Sequence, residues 1–415
     1  MSKPGKKIDA RLPREVGDKS LPLYAAVKTP WDKMVSFHDA VHYCQRYNAA
    51  LSAVVMQAFR ILVPDYVERS EALCKNAYNR LHYIFKNYGI AKMKDNELNM
   101  HPFMRGNFLG GLIGDSGDDI QLMCGRVNDF GTYRAEKELD VCYWDIVGTE
   151  LCRSTTQSLQ ACADCVADLH KKGPHLEYHM VEARGAGDFH CRIVAESREK
   201  YPMPKHEQWE CFGPVGSADQ IKYTAKEYSV KESMVFRGEC DYTFSNGTNY
   251  EWDSNNIYPQ VANSHAFGYI LPTLDDLIRE GRLTNEQVDH AIRCACEGAG
   301  KVTFIDNFAK DGLRQWMGVP HSIGEDGRLA GGYIEMFLQC MRIPYEIEAF
   351  NEEEVIYEVD RAALANHMAK QVDVYLWFWY GMTKSLVNAE WSLWEEDSPE
   401  NKVRIIIAKK IDKFC

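Results

Sequence analysis

Thiols and imidazoles concentrate in one stretch of the chain: Cys142, Cys152, Cys162 and Cys165, then His179, Asp188, His190 and Cys191. Cys162-x-x-Cys165 falls in a run of helical pattern, so its two thiols occupy neighbouring positions on one helical face. Two thiolates at that spacing can grip a soft or borderline cation. Zinc is the expected metal, with iron as the alternative, and Cys152 and Cys191 are the thiols that folding would have to add. The competing reading is that these cysteines are core residues, because the thiol packs as a small hydrophobe.

Gly187-Asp188-Phe189-His190-Cys191 is the sharpest short motif. Gly187 permits a tight turn, and Asp188 can bond back to the turn backbone. A strand over 189–197 then puts Phe189, Cys191, Ile193 and Ala195 on one side and His190, Arg192 and Val194 on the other. His190 and Cys191 therefore diverge and cannot form a pair. If Cys191 is a nucleophile, its base must come from another element, either His179 or a histidine of the N-terminal helices such as His38.

Weaker signals lie elsewhere. His38 and His42 share a helical face, as do Cys74, Tyr78 and His82, and both stripes fit ordinary packing with polar tips. Cys294 and Cys296 are too closely set for a zinc knuckle. Trp377, Phe378, Trp379 and Tyr380, with Trp391 and Trp394, read as core or as a wall of an aromatic-binding pocket. No dinucleotide fingerprint, phosphate loop, nucleophile elbow or kinase signature occurs.

The elements that must position these groups change period along the chain. Residues 1–34 form a polar arm, and 35–89 are helical. Strands are expected at 120–124 and 138–144, a helix at 148–172, and strands again at 175–183 and 189–197. Residues 200–271 are an aromatic, turn-rich bridge. From Pro272 helices resume: Thr273 should cap 274–280, and Thr284 with Gln287 forms a capping box. Strand patterns return at 345–350 and 354–359, followed by a helix, a Trp-rich strand and a final strand at 402–411. The fold class is α+β: two related domains, 35–199 and 272–415, each with N-terminal helices and an antiparallel sheet packed against helices.

The halves repeat in element order and faintly in residues, which argues for a duplication. Cys191-Arg192-Ile193-Val194 lies opposite Arg404-Ile405-Ile406-Ile407. In that register Cys152, Cys162, Cys165 and Cys191 face Asn366, Leu376, Trp379 and Arg404. The first half holds thiols and the second holds none in their place.

Composition bounds the class of protein. Of 415 residues, 45% are hydrophobic and 26% charged, values of a chain that buries a core. Lys+Arg number 48 against 60 Asp+Glu, so the net charge is −12, the wrong sign for gripping a phosphate backbone. No run approaches the roughly 18 apolar residues of a membrane helix, and 1–19 lacks the apolar centre of a secretion signal. The 14 cysteines then read as reduced thiols of a cytoplasmic protein.

One further pattern names a family. Val141-Cys142-Tyr143, Gly148-Thr149-Glu150-Leu151-Cys152, Asp164-Cys165 and Gly187-Asp188-Phe189-His190-Cys191-Arg192 are similar to the L-2-amino-thiazoline-4-carboxylic acid hydrolase family, itself reminiscent of 4-vinyl reductase-type small-molecule-binding domains. The resemblance covers residues 35–198. It implies an α+β domain enclosing a small ligand, near a cysteine-bound zinc in some relatives. The activity it implies is water-driven opening of a small sulfur–nitrogen ring at an amidine-like carbon. The expected function is hydrolysis or a lyase-like cleavage of a small, cyclic or aromatic substrate. The alternative is a non-catalytic small-molecule-binding or regulatory protein with a structural zinc. A small-molecule substrate is the expected partner, a homo-oligomer is an open option, and neither nucleic acid nor membrane is expected.

Overall fold

The structure, a computed structural model, describes residues 8–9, 37–84, 126–130, 134–140, 142–170, 177–197, 257–302, 325–341, 343–365, 368–399 and 401–410. It opens with helix α1 (Phe37–Leu62) and helix α2 (Tyr66–Ile84). Leu51, Val55 and Phe59 recur at helical spacing on α1 and are buried, which is the apolar stripe a helix turns to its core. The break falls at Val63-Pro64, because proline disfavours a helical residue before it. Asp65 then caps α2 by accepting the Glu68 N–H at 2.8 Å.

A hairpin of β2 (Arg126–Phe130) and β3 (Arg134–Leu139) follows, then helix α3 (Thr149–His170) and a second hairpin of β4 (Glu177–Glu182) and β5 (Cys191–Glu196). The later half has helices α4 (Ile257–Arg279), α5 (Asn285–Val302) and α6 (Arg328–Cys340). Its first hairpin is β6 (Tyr345–Phe350) with β7 (Glu354–Asp360). Short α7 (Arg361–Ala365) and long α8 (Ala369–Leu386) lead to its second, β8 (Trp391–Ser398) with β9 (Lys402–Lys409). The chain is α+β, as the periodicities indicate. No helix among the described residues is long and apolar enough to cross a membrane.

The two sheets are built on one plan. Strand order is β2-β3-β5-β4 in one and β6-β7-β9-β8 in the other, and every pairing is antiparallel. The final strands β5 and β9 thus occupy the same place in their sheets. Both first hairpins carry a bulge, between Val127 and Asp129 opposite Lys137–Glu136, and between Ile347 and Ala349 opposite Tyr357–Ile356. Cross-strand neighbours repeat as well: Arg192 stands between Glu138 and Glu182, and Arg404 between Glu358 and Glu396.

These pairings correct the register read from sequence. Leu139 pairs with Cys191 where Val359 pairs with Val403, so the counterpart of Cys191 is Val403, not Arg404. A one-residue slip turns every strand side chain to the wrong face, and Arg404 indeed points away from the core to Glu348 and Glu396. Helices α3 and α8 begin equally far beyond Arg134 and Glu354, so Cys142, Cys152, Cys162 and Cys165 correspond to Ala362, Val372, Met382 and Ser385.

Helices join the halves. α3 packs on α2 and α8 on α5, while α1 meets both α4 and α5, and α4 meets both α1 and α2. That reciprocity is the pattern of an isologous contact, here within one chain. The main core runs continuously from Tyr47 through Leu274 to Ile407. Of the aromatic residues read as core or pocket wall, Phe378, Trp379 and Trp391 are core, Trp377 and Tyr380 pack against it partly buried, and Trp394 lies outside it under Lys410; the Trp379 indole N–H donates to Tyr47 at 2.9 Å.

Several local expectations change. Pro272 does not begin a helix; it lies inside α4, so the expected domain boundary falls within that helix. Proline has no N–H to offer the Gly268 carbonyl one turn back, and the Arg80 guanidinium donates to that carbonyl instead. Thr273 is no cap, since its hydroxyl bonds the Tyr269 carbonyl at 2.6 Å. Strand β3 runs Arg134–Leu139, earlier than the strand expected at 138–144, and a 3-10 turn at Asp145–Val147 follows the expected span. Within the expected arm, Ile8–Asp9 form β1 and pair with the β6 edge. The Thr284–Gln287 capping box is present, with both reciprocal bonds at 2.9 and 3.2 Å. The strand expected at 120–124, and most of the bridge, lie outside the described residues.

Helices α5 and α8 cross at two glycines. A methyl on Gly300 would stand 2.2 Å from the Phe378 carbonyl oxygen, and one on Gly381 2.1 Å from that of Glu297. Backbone cannot yield as a side-chain tip can. Gly300→Ala should therefore destabilise the protein by about 2 kcal/mol despite alanine's better helix propensity. Urea unfolding checks this, and an unchanged or raised midpoint would refute the close crossing.

Candidate thiol site

Three thiols meet at the end of the first sheet. Cys191 opens β5 opposite Leu139. Cys142 lies three residues beyond Leu139, half-buried against the main core, while Cys152 arrives on the first turn of α3. The 3-10 turn Arg184–Ala186 closes over them. A methyl on Gly185 would lie 2.7 Å from the Cys152 sulfur, so only glycine lets the turn sit there. Gly187 follows with φ +99, and Asp188 accepts the Ala183 N–H at 2.7 Å, as the motif predicts.

Arg184 organises this end of the sheet. Its backbone N–H donates to the Cys191 sulfur at 3.3 Å. Its guanidinium pairs with Asp145 at 3.0 Å. It also donates to the carbonyls of Asp140 and Phe189 at 3.2 and 2.8 Å. One side chain thereby ties the loop carrying Cys142 to the loop leading into Cys191.

A second clamp holds α3. Glu150 is 2% exposed and receives Arg60 at 3.0 Å and Arg69 at 2.8 Å. Burial alone would raise its carboxyl, and the two guanidinium groups override that and hold it below the usual carboxylate value. The first turn of α3, and Cys152 with it, is thus fastened to α1 and α2.

The thiols influence one another. The interaction between Cys142 and Cys191 is the largest influence on both groups. It draws Cys191 down to about 7, against the opposing effect of burial and with help from the Arg184 N–H and charge. It pushes Cys142 well above its ordinary value, and burial adds to that. The Arg184 backbone N–H and the Arg184 charge favour the thiolate at Cys191. Other thiols behave as core: burial pushes Cys74 up to about 12 and raises Cys296 as well.

The remaining expected site residues are not brought to this point. His179 is buried on β4, but it pairs with Val194, whereas Tyr178 and Met180 share the face of Cys191, Ile193 and Ala195. Strand alternation therefore turns its ring to the other side of the sheet, and His179 cannot be the base for Cys191. His190 also faces away, 2.7 Å from Glu182. Phe189 is not interior: it precedes the strand and is 86% exposed. His38 lies in the first turn of α1, and its side chain is outside the described residues.

The four thiols do not come together as one metal set. At about 1.5 Å of rise per residue, Cys162 and Cys165 lie about 15 and 20 Å along α3 from Cys152, whereas thiolates on one zinc stand about 2.3 Å from it. The side chains of Cys162 and Cys165 are themselves outside the described residues. Among the described residues no group of three or more His, Cys, Asp or Glu is placed to hold a metal ion.

The second half shows what the fold itself requires. Ala362, Val372 and Val403 stand where Cys142, Cys152 and Cys191 stand, and both valines are fully buried. The same architecture packs there without sulfur. Sequence reasoning missed Arg184 and the partnership of Cys142, since neither has a local signature. The corrected pairing of halves would have singled out all three thiols together.

Comparison with known proteins gave no match: no family model, no curated protein and no solved structure matches this chain.

Proposed function

We propose that the chain is a thiol-dependent hydrolase or lyase for a small molecule, with Cys191 as its nucleophile. The observation that carries this reading is the Arg184 backbone N–H donating to the Cys191 sulfur at 3.3 Å, together with the charge of the Arg184 guanidinium beside it. Both favour the thiolate, which is the attacking form. The resemblance of the Gly187–Arg192 segment and its spaced cysteines to the thiazoline-carboxylate hydrolases supplies the substrate class: a small sulfur–nitrogen ring with an amidine-like carbon. The thiolate would add to that carbon, a ring bond would break with its leaving atom taking up a proton, and water would release the product. A reactive thiol of this kind suits a reducing, cytoplasmic setting.

The test is alkylation of the full-length protein by iodoacetamide across pH 5–10, with each cysteine followed by mass spectrometry. Cys191 should react with a midpoint near 7, and hydrolysis of 2-amino-thiazoline-4-carboxylate should rise over the same range. A Cys191 midpoint at or above the ordinary thiol value of about 8.5 would overturn the assignment.

A further inference from the structure

Cys294 sits where no core can use it. Of the described cysteines, Cys74, Cys152, Cys191, Cys296 and Cys340 are buried and Cys142 is half-buried, whereas Cys294 is exposed. It lies on α5, whose buried face is made by Val288, Ile292 and Cys296. Cys294 stands on the opposite side of that helix, so the small-hydrophobe role of a buried thiol does not account for it. One turn before it on the same side is His290, also exposed. The Cys294 sulfur is 3.8 Å from the imidazole Nε2 and 4.0 Å from Nδ1. Neither side chain has another hydrogen-bond partner among the described residues.

That separation suits a shared metal ion. Zinc stands about 2.3 Å from a thiolate sulfur and about 2.0–2.1 Å from an imidazole nitrogen, and at a tetrahedral angle those bonds set the two donors about 3.5 Å apart. The observed 3.8 Å closes to that value by a small movement of two exposed side chains. Residues four apart on a helix present two ligands to one ion on a shared face. The backbone beneath them is fixed at both ends, by the Thr284–Gln287 capping box and by the close crossing at Gly300. Glu286, one turn before His290 and exposed, adds negative charge to the same side. A thiolate with an imidazole favours zinc over magnesium or calcium, which take oxygen ligands.

We propose that His290 and Cys294 form a surface site for one zinc ion. The sulfur binds as thiolate and the imidazole as its neutral form, so the Cys294 proton is released to solvent on binding. Water fills the remaining positions, which leaves the ion exchangeable and open to a further ligand. The site lies in the other half of the chain from Cys191 and stands independently of the proposed hydrolysis.

The experiment alkylates the reduced full-length protein with a pulse of iodoacetamide at neutral pH, with zinc alone in excess or with chelator, and follows Cys294 by mass spectrometry. Zinc should slow Cys294 modification at least about tenfold, because the bound thiolate is withdrawn from reaction. In His290→Ala, a change on the solvent side of α5, Cys294 should react equally fast with zinc and with chelator. Protection in the wild type should weaken on acidification, since both donors bind only when deprotonated. Equal Cys294 rates with and without zinc in the wild type, or protection that survives intact in His290→Ala, would overturn the proposal.

Discussion

Replacing Cys142 with Ala, Cys152 with Val and Cys191 with Val together should leave the protein folded and remove its thiol chemistry. The second half of the chain already carries this combination at Ala362, Val372 and Val403, in a sheet of the same order, with the same hairpin bulge and the same helix. Each change replaces sulfur by a side chain the architecture accommodates elsewhere. The expected stability change is within about 1 kcal/mol in urea unfolding, chiefly from one added methyl at each valine. Turnover of the small heterocycle should fall at least about a thousandfold, because no other group among those placed at the site can take the place of the thiolate. Loss of cooperative unfolding would mean that the thiols are structural. Retained turnover would remove them from the mechanism.

Glu150→Gln should be the most damaging single substitution in the first half. The carboxylate is enclosed by Arg60 and Arg69, with oxygens taking donors from both guanidinium groups at 2.8–3.2 Å. The amide keeps the shape and removes the charge, leaving two cations facing each other beside a helix N-terminus. Breaking a buried pair in this way costs about 3–5 kcal/mol. The wild-type protein should show the same clamp as acid sensitivity. Because the carboxyl titrates lower in the folded chain than in the unfolded one, its contribution is complete above the unfolded value of about 4.3 and is lost as pH falls through the folded value. Unfolding free energies measured from pH 7 down to pH 3 should fall less steeply in Glu150→Gln than in wild type. Equal slopes, or a loss below about 1 kcal/mol at pH 7, would show that the clamp is not the anchor of α3.

Much of the frame was legible from local pattern. Alternation marked β5 and placed Cys191 and Ile193 inward, Thr284 and Gln287 marked the start of α5, and Asp188 marked its turn. Each of these depends on residues a few positions apart, where backbone geometry dictates which side chains meet. The asymmetry of thiols between the halves was legible too, although the strand partner was misnumbered by one residue and the helix partners by six.

What the tertiary structure decided were matters of register and face. Whether His179 could serve Cys191 depended on the β4–β5 pairing, in which one residue of slip would have turned its ring to the face of the sheet that carries Cys191. Pro272 stays within a helix because Arg80, distant in sequence, donates to the carbonyl that proline leaves open. Cys142 lies at the Cys191 end of the sheet because Leu139 pairs with Cys191 and Arg184 ties the two loops together. The amino-acid sequence alone determined the α+β class, the inward thiol and the half of the chain in which the thiols cluster. Only the folded chain determined which of those thiols lie at one end of the sheet, since antiparallel pairing joins residues whose separation along the chain carries no periodic signal.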